Sequence, residues 1–226
     1  MFDNRIIGAF GIAAALALGV AAPASASPIL GIELIESGYA PFSTTSSADP
    51  LITVVKNYGT FKTNVEVNNL VTNPLSIDLS STDVSSSTAG TLTIIASATR
   101  LTTPLGLNSF LSQLTGNFNN GVTSTTLETY ISNSNTMFGT DTLLNSLSAA
   151  SSPFATFGSN STVTTDPFSI TEVITVTTSG KATINFDGSI AVAPEIDARS
   201  GAAAIALLLG VLGLAGERRR RPVVTA

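Results

Sequence analysis

The stretch Ile184-Asn185-Phe186-Asp187-Gly188-Ser189-Ile190-Ala191-Val192 decides the fold class of this chain. Apolar and polar side chains alternate along it. The apolar positions on one face are Ile184, Phe186, Ile190 and Val192, and the polar positions on the other are Thr183, Asn185, Asp187 and Ser189. Because successive side chains of a β-strand point to opposite faces, this alternation predicts a half-buried strand.

The same alternation recurs throughout the preceding sequence. Apolar faces are expected from Leu30, Ile32 and Leu34; from Phe61, Val65 and Val67; from Leu75, Ile77 and Leu79; and from Leu92, Ile94 and Ala96. Turn-forming pairs such as Asp49-Pro50 and Asn73-Pro74 separate these runs. Eight to ten strands without a βαβ rhythm predict an all-β fold, an antiparallel two-sheet sandwich of the immunoglobulin-like or jelly-roll kind.

Two local expectations accompany this fold class. Ser179-Gly180 stands between two strongly alternating runs and predicts a tight hairpin that joins residues 170–176 to residues 184–192. Apolar residues at helical spacing in 107–114, and again in 143–147, are compatible with one or two helical turns.

The composition of residues 27–192 restricts the function classes. Ser and Thr make up about a third of these residues, and eleven carboxylates face only four cations. This acidic balance argues against nucleic acid as a partner. The chain has no cysteine and no histidine, so it lacks disulfides, thiolate nucleophiles and the usual general base near neutral pH. We therefore expect a protein that is not an enzyme and that uses no cofactor.

The N-terminus has the pattern of a signal peptide. An apolar run at 6–20 follows Arg5, and Ala24 and Ala26 supply the small-x-small pattern of a cleavage site. We expect residues 1–26 to be removed after Ala26, which implies the Sec translocon and signal peptidase as partners. The exported all-β domain then spans 27–192.

The C-terminus predicts a membrane anchor. Residues 201–216 form an uncharged run, which as a helix is about 24 Å long against a hydrocarbon core of about 30 Å. The basic end, 217–226, contains Arg218, Arg219, Arg220 and Arg221. Arginines stay on the cytoplasmic side and stop transfer, so this transmembrane helix would hold the domain outside the cytoplasm.

The segment before this helix reads Ala193-Pro194-Glu195-Ile196-Asp197. The order of motif, apolar helix and arginine cluster across 193–226 resembles the PEP-CTERM family of exported proteins, in the branch with Pro194, Glu195, Ile196 and Asp197 as its sorting motif. Ile196 departs from the pattern that gives the family its name, which has a second proline there. The resemblance implies cleavage near the motif by an exosortase, in a Gram-negative bacterium that makes exopolysaccharide.

Candidate chemistry inside the domain is sparse. The hydroxyl-rich segment 80–88 would either meet polysaccharide or carry O-linked sugar, or would be a solvated loop between strands. The acids are scattered singly, without the spacing of a calcium loop, and we assign no metal ligand. Glu128 and Glu172 would serve as a hydrolytic acid and base only if facing strands brought them together.

The leading hypothesis is a non-enzymatic surface or extracellular-matrix protein associated with exopolysaccharide or biofilm. Its tail first anchors it in the membrane and is then processed by an exosortase, which leaves the protein at the cell surface or in the matrix. A carbohydrate-binding module of the cell surface is the alternative, although the chain has no Trp and few Tyr to build a sugar platform. A hydrolase of matrix polymer is the third class.

Overall fold

A computed structural model of the chain describes residues 27–47, 49–70, 75–119 and 121–193. They form twelve strands and, within these ranges, no helix. The strands are β1 Ile29–Glu36, β2 Phe42–Ser46, β3 Leu51–Tyr58, β4 Phe61–Leu70, β5 Ser76–Ser86, β6 Ala89–Leu101, β7 Gly106–Phe118, β8 Val122–Ser132, β9 Thr142–Ala149, β10 Phe154–Thr164, β11 Phe168–Ser179 and β12 Ala182–Val192.

The strands form two six-stranded sheets. Sheet 1 has the order β2-β1-β6-β11-β8-β9, and sheet 2 has the order β10-β7-β12-β5-β4-β3. Neighbouring strands are antiparallel. The predicted all-β two-sheet sandwich is therefore confirmed, with twelve strands in place of the expected eight to ten.

One hydrophobic core fills the space between the sheets, and the apolar faces expected from the sequence line it. Ile32 and Leu34 of β1 and Leu92 and Ile94 of β6 are fully buried in sheet 1. Sheet 2 contributes the predicted face of β12, where the buried apolar residues are Ile184, Phe186, Ile190 and Val192. Alternation along each strand thus sets which side chains leave water.

The predicted C-terminal hairpin is wrong. β11 pairs with β6 and β8 in sheet 1, whereas β12 pairs with β5 and β7 in sheet 2. The Ser179-Gly180 turn therefore crosses from one sheet to the other. Both strands carry one apolar face, and placing the two faces against each other across the core buries both of them.

The two segments considered as helical turns are also strands, since residues 107–114 lie in β7 and residues 143–147 in β9. In β7, Phe110 and Leu114 are buried, while Leu107 and Leu111 are 67% and 44% exposed. The apolar residues that suggested helical spacing therefore belong to both faces of one strand, because odd and even positions point to opposite sides.

The predictions for the two ends of the chain lie outside the described residues. They concern the cleavage site at Ala24 and Ala26, the motif Pro194, Glu195, Ile196 and Asp197, the apolar run 201–216 and the four arginines from Arg218 to Arg221. Among the described residues, no helix has the length and apolar character needed to cross a membrane.

Candidate functional site

The outward side of sheet 2 carries rows of polar side chains, which we call the polar face. Strand register aligns Lys62 of β4 with Ser85 of β5, and Ser85 with Thr183 of β12. Farther along the same strands, two more rows cross the sheet; their members are Glu66, Ser80 and Asp187, then Asn68, Asp78 and Ser189. Cross-strand neighbours on one face are about 5 Å apart, so each row presents adjacent polar groups.

Three turns meet at one end of this face. They are the β3–β4 turn at Gly59 and Thr60, the β5–β6 turn at Ser87 and Thr88, and the β11–β12 turn that contains Lys181. Between them lies a cavity of about 540 Å³, the basic cleft. Its lining includes Thr60, Lys62, Ser85, Ser87, Lys181 and Thr183.

The β3–β4 turn is held by a buried carboxylate from the other sheet. Glu36, at the end of β1, accepts hydrogen bonds from Thr60 N at 2.9 Å and from Thr60 Oγ1 at 2.6 Å. Gly59 has φ of +58°, and a Cβ there would run into the Glu36 carboxylate. Only glycine fits this turn without strain. The two hydrogen bonds from Thr60 to Glu36 hold this side of the cleft in place.

Hydrogen bonds also hold the other two turns. Ser86 Oγ donates to the Thr88 carbonyl at 2.6 Å, and Thr178 Oγ1 donates to the same carbonyl at 3.1 Å. At the β11–β12 turn, Ser179 N donates to the Gly121 carbonyl at 2.9 Å. Thr60, Ser87 and Lys181 of the cleft therefore stand on turns anchored at several points, and the strands beside these turns carry Lys62, Ser85 and Thr183.

Positive charge is concentrated at this end of the molecule. Lys62 and Lys181 line the basic cleft together with Asp83, and no ion pair of either ammonium occurs within the described part of the chain. A second groove of about 390 Å³ shares Lys62 and Asp83 and adds Lys56. Lys56 also lies 4.4 Å above the ring of Phe42. Such a cleft has the donors needed to hold an anionic group.

Midway along the polar face, Asp78 and Asp187 form a carboxyl pair. The pKa of Asp78 is raised to about 6. Burial is the largest cause, followed by the charge of Asp187, a hydrogen bond with Asp187 and the charge of Glu66. A hydrogen bond between two carboxyl groups requires a proton, so it favours the protonated form of Asp78. The sequence shows each acid on a strand, but only the pairing of β5 with β12 brings them together.

The structure does not bring Glu128 and Glu172 onto one face. Glu172 lies opposite Thr129 in the register, whereas Glu128 lies opposite Val173. Adjacent positions of a strand point to opposite sides, so Glu172 enters the core and Glu128 faces outward. Glu128 there accepts a hydrogen bond of 2.7 Å from Tyr130 Oη. Burial first, and then this bond, raise the pKa of Tyr130 to about 12.

Glu172 is a fully buried carboxyl group that alternation in sequence did not single out. Neither of its oxygens accepts a hydrogen bond of normal geometry. Burial raises its pKa well above the ordinary value; the charges of Asp78 and Asp187 add to this rise, and the backbone N–H of Ile190 opposes it. Its position in phase with the buried Ile170 and Ile174 is the sequence signal that would have revealed it.

The hydroxyl-rich segment 80–88 is not a solvated loop, since most of it belongs to β5. Ser85 lines the basic cleft, while Ser81 is buried and its Oγ accepts a hydrogen bond of 3.1 Å from Phe186 N. Hydroxyls of this segment therefore serve both the interior and the polar face. Among the described residues, no three acidic side chains are grouped so as to hold a metal ion.

The domain ends where the tail begins. β12 closes at Val192, and Ala193 N donates to the Ser109 carbonyl at 2.8 Å. Residues 193–222 match a family model for a C-terminal sorting domain. The chain is thus an exported protein that carries an exosortase-type sorting signal directly after an all-β domain. The signal is a VPEID-CTERM protein sorting domain, which confirms the predicted PEP-CTERM-like tail.

Solved structures resemble the domain only distantly. The enzymatically active domain of bacteriophage CBA120 tailspike protein 4 has 13% identity and a TM-score of 0.32, covering 63% of this chain and 19% of its own. The CBM36-1 domain of a xylanase from the hindgut metagenome of Trinervitermes trinervoides has 9% identity and a TM-score of 0.28, with 73% and 99% covered. TmCBM61, in complex with β-1,4-galactotriose, has 13% identity and a TM-score of 0.28, with 73% and 88% covered.

These values are too low to carry an argument about function. The chain spans about a fifth of the length of the tailspike domain that it matches. No curated protein matches the chain.

Proposed function

We propose that this chain is a non-enzymatic surface or extracellular-matrix protein of a Gram-negative bacterium, associated with exopolysaccharide. Its tail would hold it in the membrane until an exosortase processes it. The observation that carries the proposal is the sorting domain at 193–222, which follows β12 without a linker. Export and sorting deliver the domain, and its exposed faces remain for contact with the matrix.

The orientation of β12 supports a role at a distance from the membrane. The strand runs 11 residues from the turn of Lys181 to the start of the tail, or roughly 35 Å. The basic cleft is therefore at the end of the sandwich opposite the tail. A domain tethered by its tail would present this cleft toward the extracellular space.

The positions of the carboxyl groups support a non-enzymatic role. Glu128 and Glu172 lie on opposite faces of sheet 1, so they cannot act on one bond. The structure therefore gives no support to glycoside hydrolysis by this pair of carboxylates.

Cell fractionation tests the proposal. In wild-type cells, immunoblots should show a processed, extracellular chain; in cells without the exosortase, a longer chain should stay with the membrane. In wild-type cells, the variant Glu195→Ala in the sorting motif should also give the longer, membrane-bound chain. The matched control Glu217→Ala, beyond the motif, should give the processed, extracellular chain. A chain with the same size and location in both strains would refute it.

A carbohydrate-binding module is the second candidate, favoured by one exposed aromatic ring. Phe157 of β10 is 60% exposed and lies opposite Gln113 of β7, which in turn lies opposite Ser189 of β12. An aromatic ring beside amide and hydroxyl groups can stack on a sugar while its neighbours bond the sugar hydroxyls. Pull-down with the host's own polysaccharide should retain the wild-type chain but not the Phe157→Ala variant. Equal retention of both chains would show that the face around Phe157 does not bind the polysaccharide.

A further inference from the structure

We propose that the basic cleft binds an acidic polysaccharide, with the carboxylate of a uronic-acid-type sugar held between Lys62 and Lys181. This inference rests on the proposed function, since it names the class of matrix polymer that the domain would meet. The polymer is identified by the chemistry of the cleft alone: two ammonium groups, several hydroxyls and one carboxylate on an open surface.

The distribution of cations is the first argument. Residues 27–192 contain only four cations, and three of them, Lys56, Lys62 and Lys181, line the basic cleft or the groove beside it. The fourth, Arg100, lines neither of them. An acidic domain repels anions over most of its surface, so an anionic polymer has one favourable place to bind.

The neighbouring side chains are the second argument, because they suit the rest of a sugar. In the register across the sheet, Ser85 lies between Lys62 and Thr183, so two hydroxyl groups follow the ammonium group in one row. Hydroxyls donate and accept hydrogen bonds, as sugar hydroxyls do. Asp83 can accept hydrogen bonds from sugar hydroxyls that point away from the carboxylate.

Preorganisation is the third argument. The Glu36 carboxylate fixes the turn of Thr60, and the Ser86 and Thr178 hydroxyls fix the turn of Thr88. Little conformational entropy is then lost when a ligand binds, and the loss of such entropy is a main cost of weak surface sites.

The shape of the site favours a polymer over a single sugar. The basic cleft, at about 540 Å³, and the groove, at about 390 Å³, share Lys62 and Asp83 and therefore adjoin each other. Each lies in the range of about 300 to 1,000 Å³ that is usual for small-ligand sites. Successive sugar units can therefore occupy the two parts, with Lys181 at one end and Asn57, opposite Lys62 in the register, at the other.

Binding of the full-length chain to polygalacturonate, measured by affinity electrophoresis at low and high salt, tests this. We expect retardation by polygalacturonate, none by neutral dextran, and weaker binding as salt screens the charges. The double variant Lys62→Gln/Lys181→Gln should weaken the affinity about tenfold. The matched control Arg100→Gln removes a charge elsewhere and should change it less than about twofold. Lys62→Arg/Lys181→Arg, which keeps both charges, should bind like wild type.

Equal weakening by Arg100→Gln and by the double variant would overturn the inference, because it would show non-specific attraction. Binding to polyphosphate, or to vesicles with anionic phospholipid, that exceeds binding to polygalacturonate would overturn the carboxylate-sugar class. A processed, extracellular chain that fails to bind polygalacturonate refutes the inference and leaves the proposed function standing. A chain that is never processed refutes the proposed function, whatever its cleft binds.

Discussion

Ser112 of β7 and Thr129 of β8 join the two sheets through a hydroxyl–hydroxyl hydrogen bond of 2.8 Å in the core. Asn145 Nδ2 also donates to Ser112 Oγ, at 2.8 Å. Ser112→Ala would leave the fully buried Thr129 hydroxyl and the half-buried Asn145 amide without this partner. We expect a loss of about 1 to 3 kcal/mol in the free energy of unfolding, measured by chemical denaturation.

Ser109→Ala is the matched control for this substitution. Ser109 lies on the same strand, but its Oγ bonds Ser161 Oγ at 2.9 Å on the exposed side of the sheet. Water replaces such a bond, so a change within about 0.5 kcal/mol is expected. Equal losses for the two alanine variants would show that the bond between the sheets does not stabilise the fold.

Glu172, opposite Thr129 in the register, should make the protein less stable as pH rises above the ordinary carboxyl pKa of 4.5. Its pKa in the folded chain lies well above the ordinary value, so the fold favours the protonated form. This stability is complete at low pH and is lost as pH rises through the folded pKa. From the ordinary pKa of 4.5 up to the raised pKa of the folded chain, we expect the free energy of unfolding to fall with a slope of at most about 1.4 kcal/mol per pH unit.

Denaturation curves at several pH values, for wild type and for Glu172→Gln, check this slope. The neutral amide cannot ionise, so above about pH 6, where the ionisation of Asp78 is largely complete, the variant should show a flatter profile than wild type. Glu128→Gln, on the outward face of the neighbouring strand, should keep the wild-type slope. A wild-type slope that survives in Glu172→Gln above about pH 6 would assign the loss of stability to another group.

Part of this architecture was predictable because alternation is a local property. Ile184 and Phe186 show by themselves which face of β12 is buried, and the same holds for Ile32 and Leu34 of β1. The sheet to which each strand belongs is not local, since the Ser179-Gly180 turn suits a hairpin as well as a crossing between sheets.

The candidate site was less predictable than the fold for the same reason. Lys62 and Lys181 are far apart in the chain and meet only because β4, β5 and β12 are consecutive in sheet 2. The tail is the opposite case. Its motif, apolar run and arginines follow one another in sequence, so the sorting signal at 193–222 was identified without any knowledge of strand order.

Asp78→Asn should stabilise the protein at neutral pH. The pKa of Asp78 is about 6 in the fold against 3.8 ordinarily, so ionisation costs stability as pH rises between these values. The amide removes the repulsion with Asp187 and Glu66. We expect a gain of about 1 kcal/mol at pH 8, reduced by solvent screening at this half-buried position, and no gain below about pH 4.

Asp141→Asn is the control of opposite sign for the carboxyl pair. Hydrogen bonds from Ser132 and Ser134 lower the pKa of Asp141, so its ionised form stabilises the fold at neutral pH. Denaturation should therefore show a loss for Asp141→Asn at both pH 8 and pH 4, because its lowered pKa keeps it largely ionised at pH 4, and a gain for Asp78→Asn at pH 8 only. A gain for Asp78→Asn that is equal at both pH values would rule out charge as its cause.

Gly121 and Gly180 stand at the same end of the sandwich, and alanine should affect them very differently. A Cβ on Gly121 would collide with the Lys181 carbonyl, a backbone atom that cannot turn aside. A Cβ on Gly180 meets nothing within 4 Å. We expect Gly121→Ala to lower the free energy of unfolding by about 2 kcal/mol or more, because the backbone of the β11–β12 turn must shift. Gly180→Ala should stay within about 1 kcal/mol of wild type.

Since the shift would displace Lys181, Gly121→Ala should also weaken polygalacturonate binding under conditions where the variant is fully folded. Wild-type stability in Gly121→Ala would contradict the expected collision between the new Cβ and the Lys181 carbonyl.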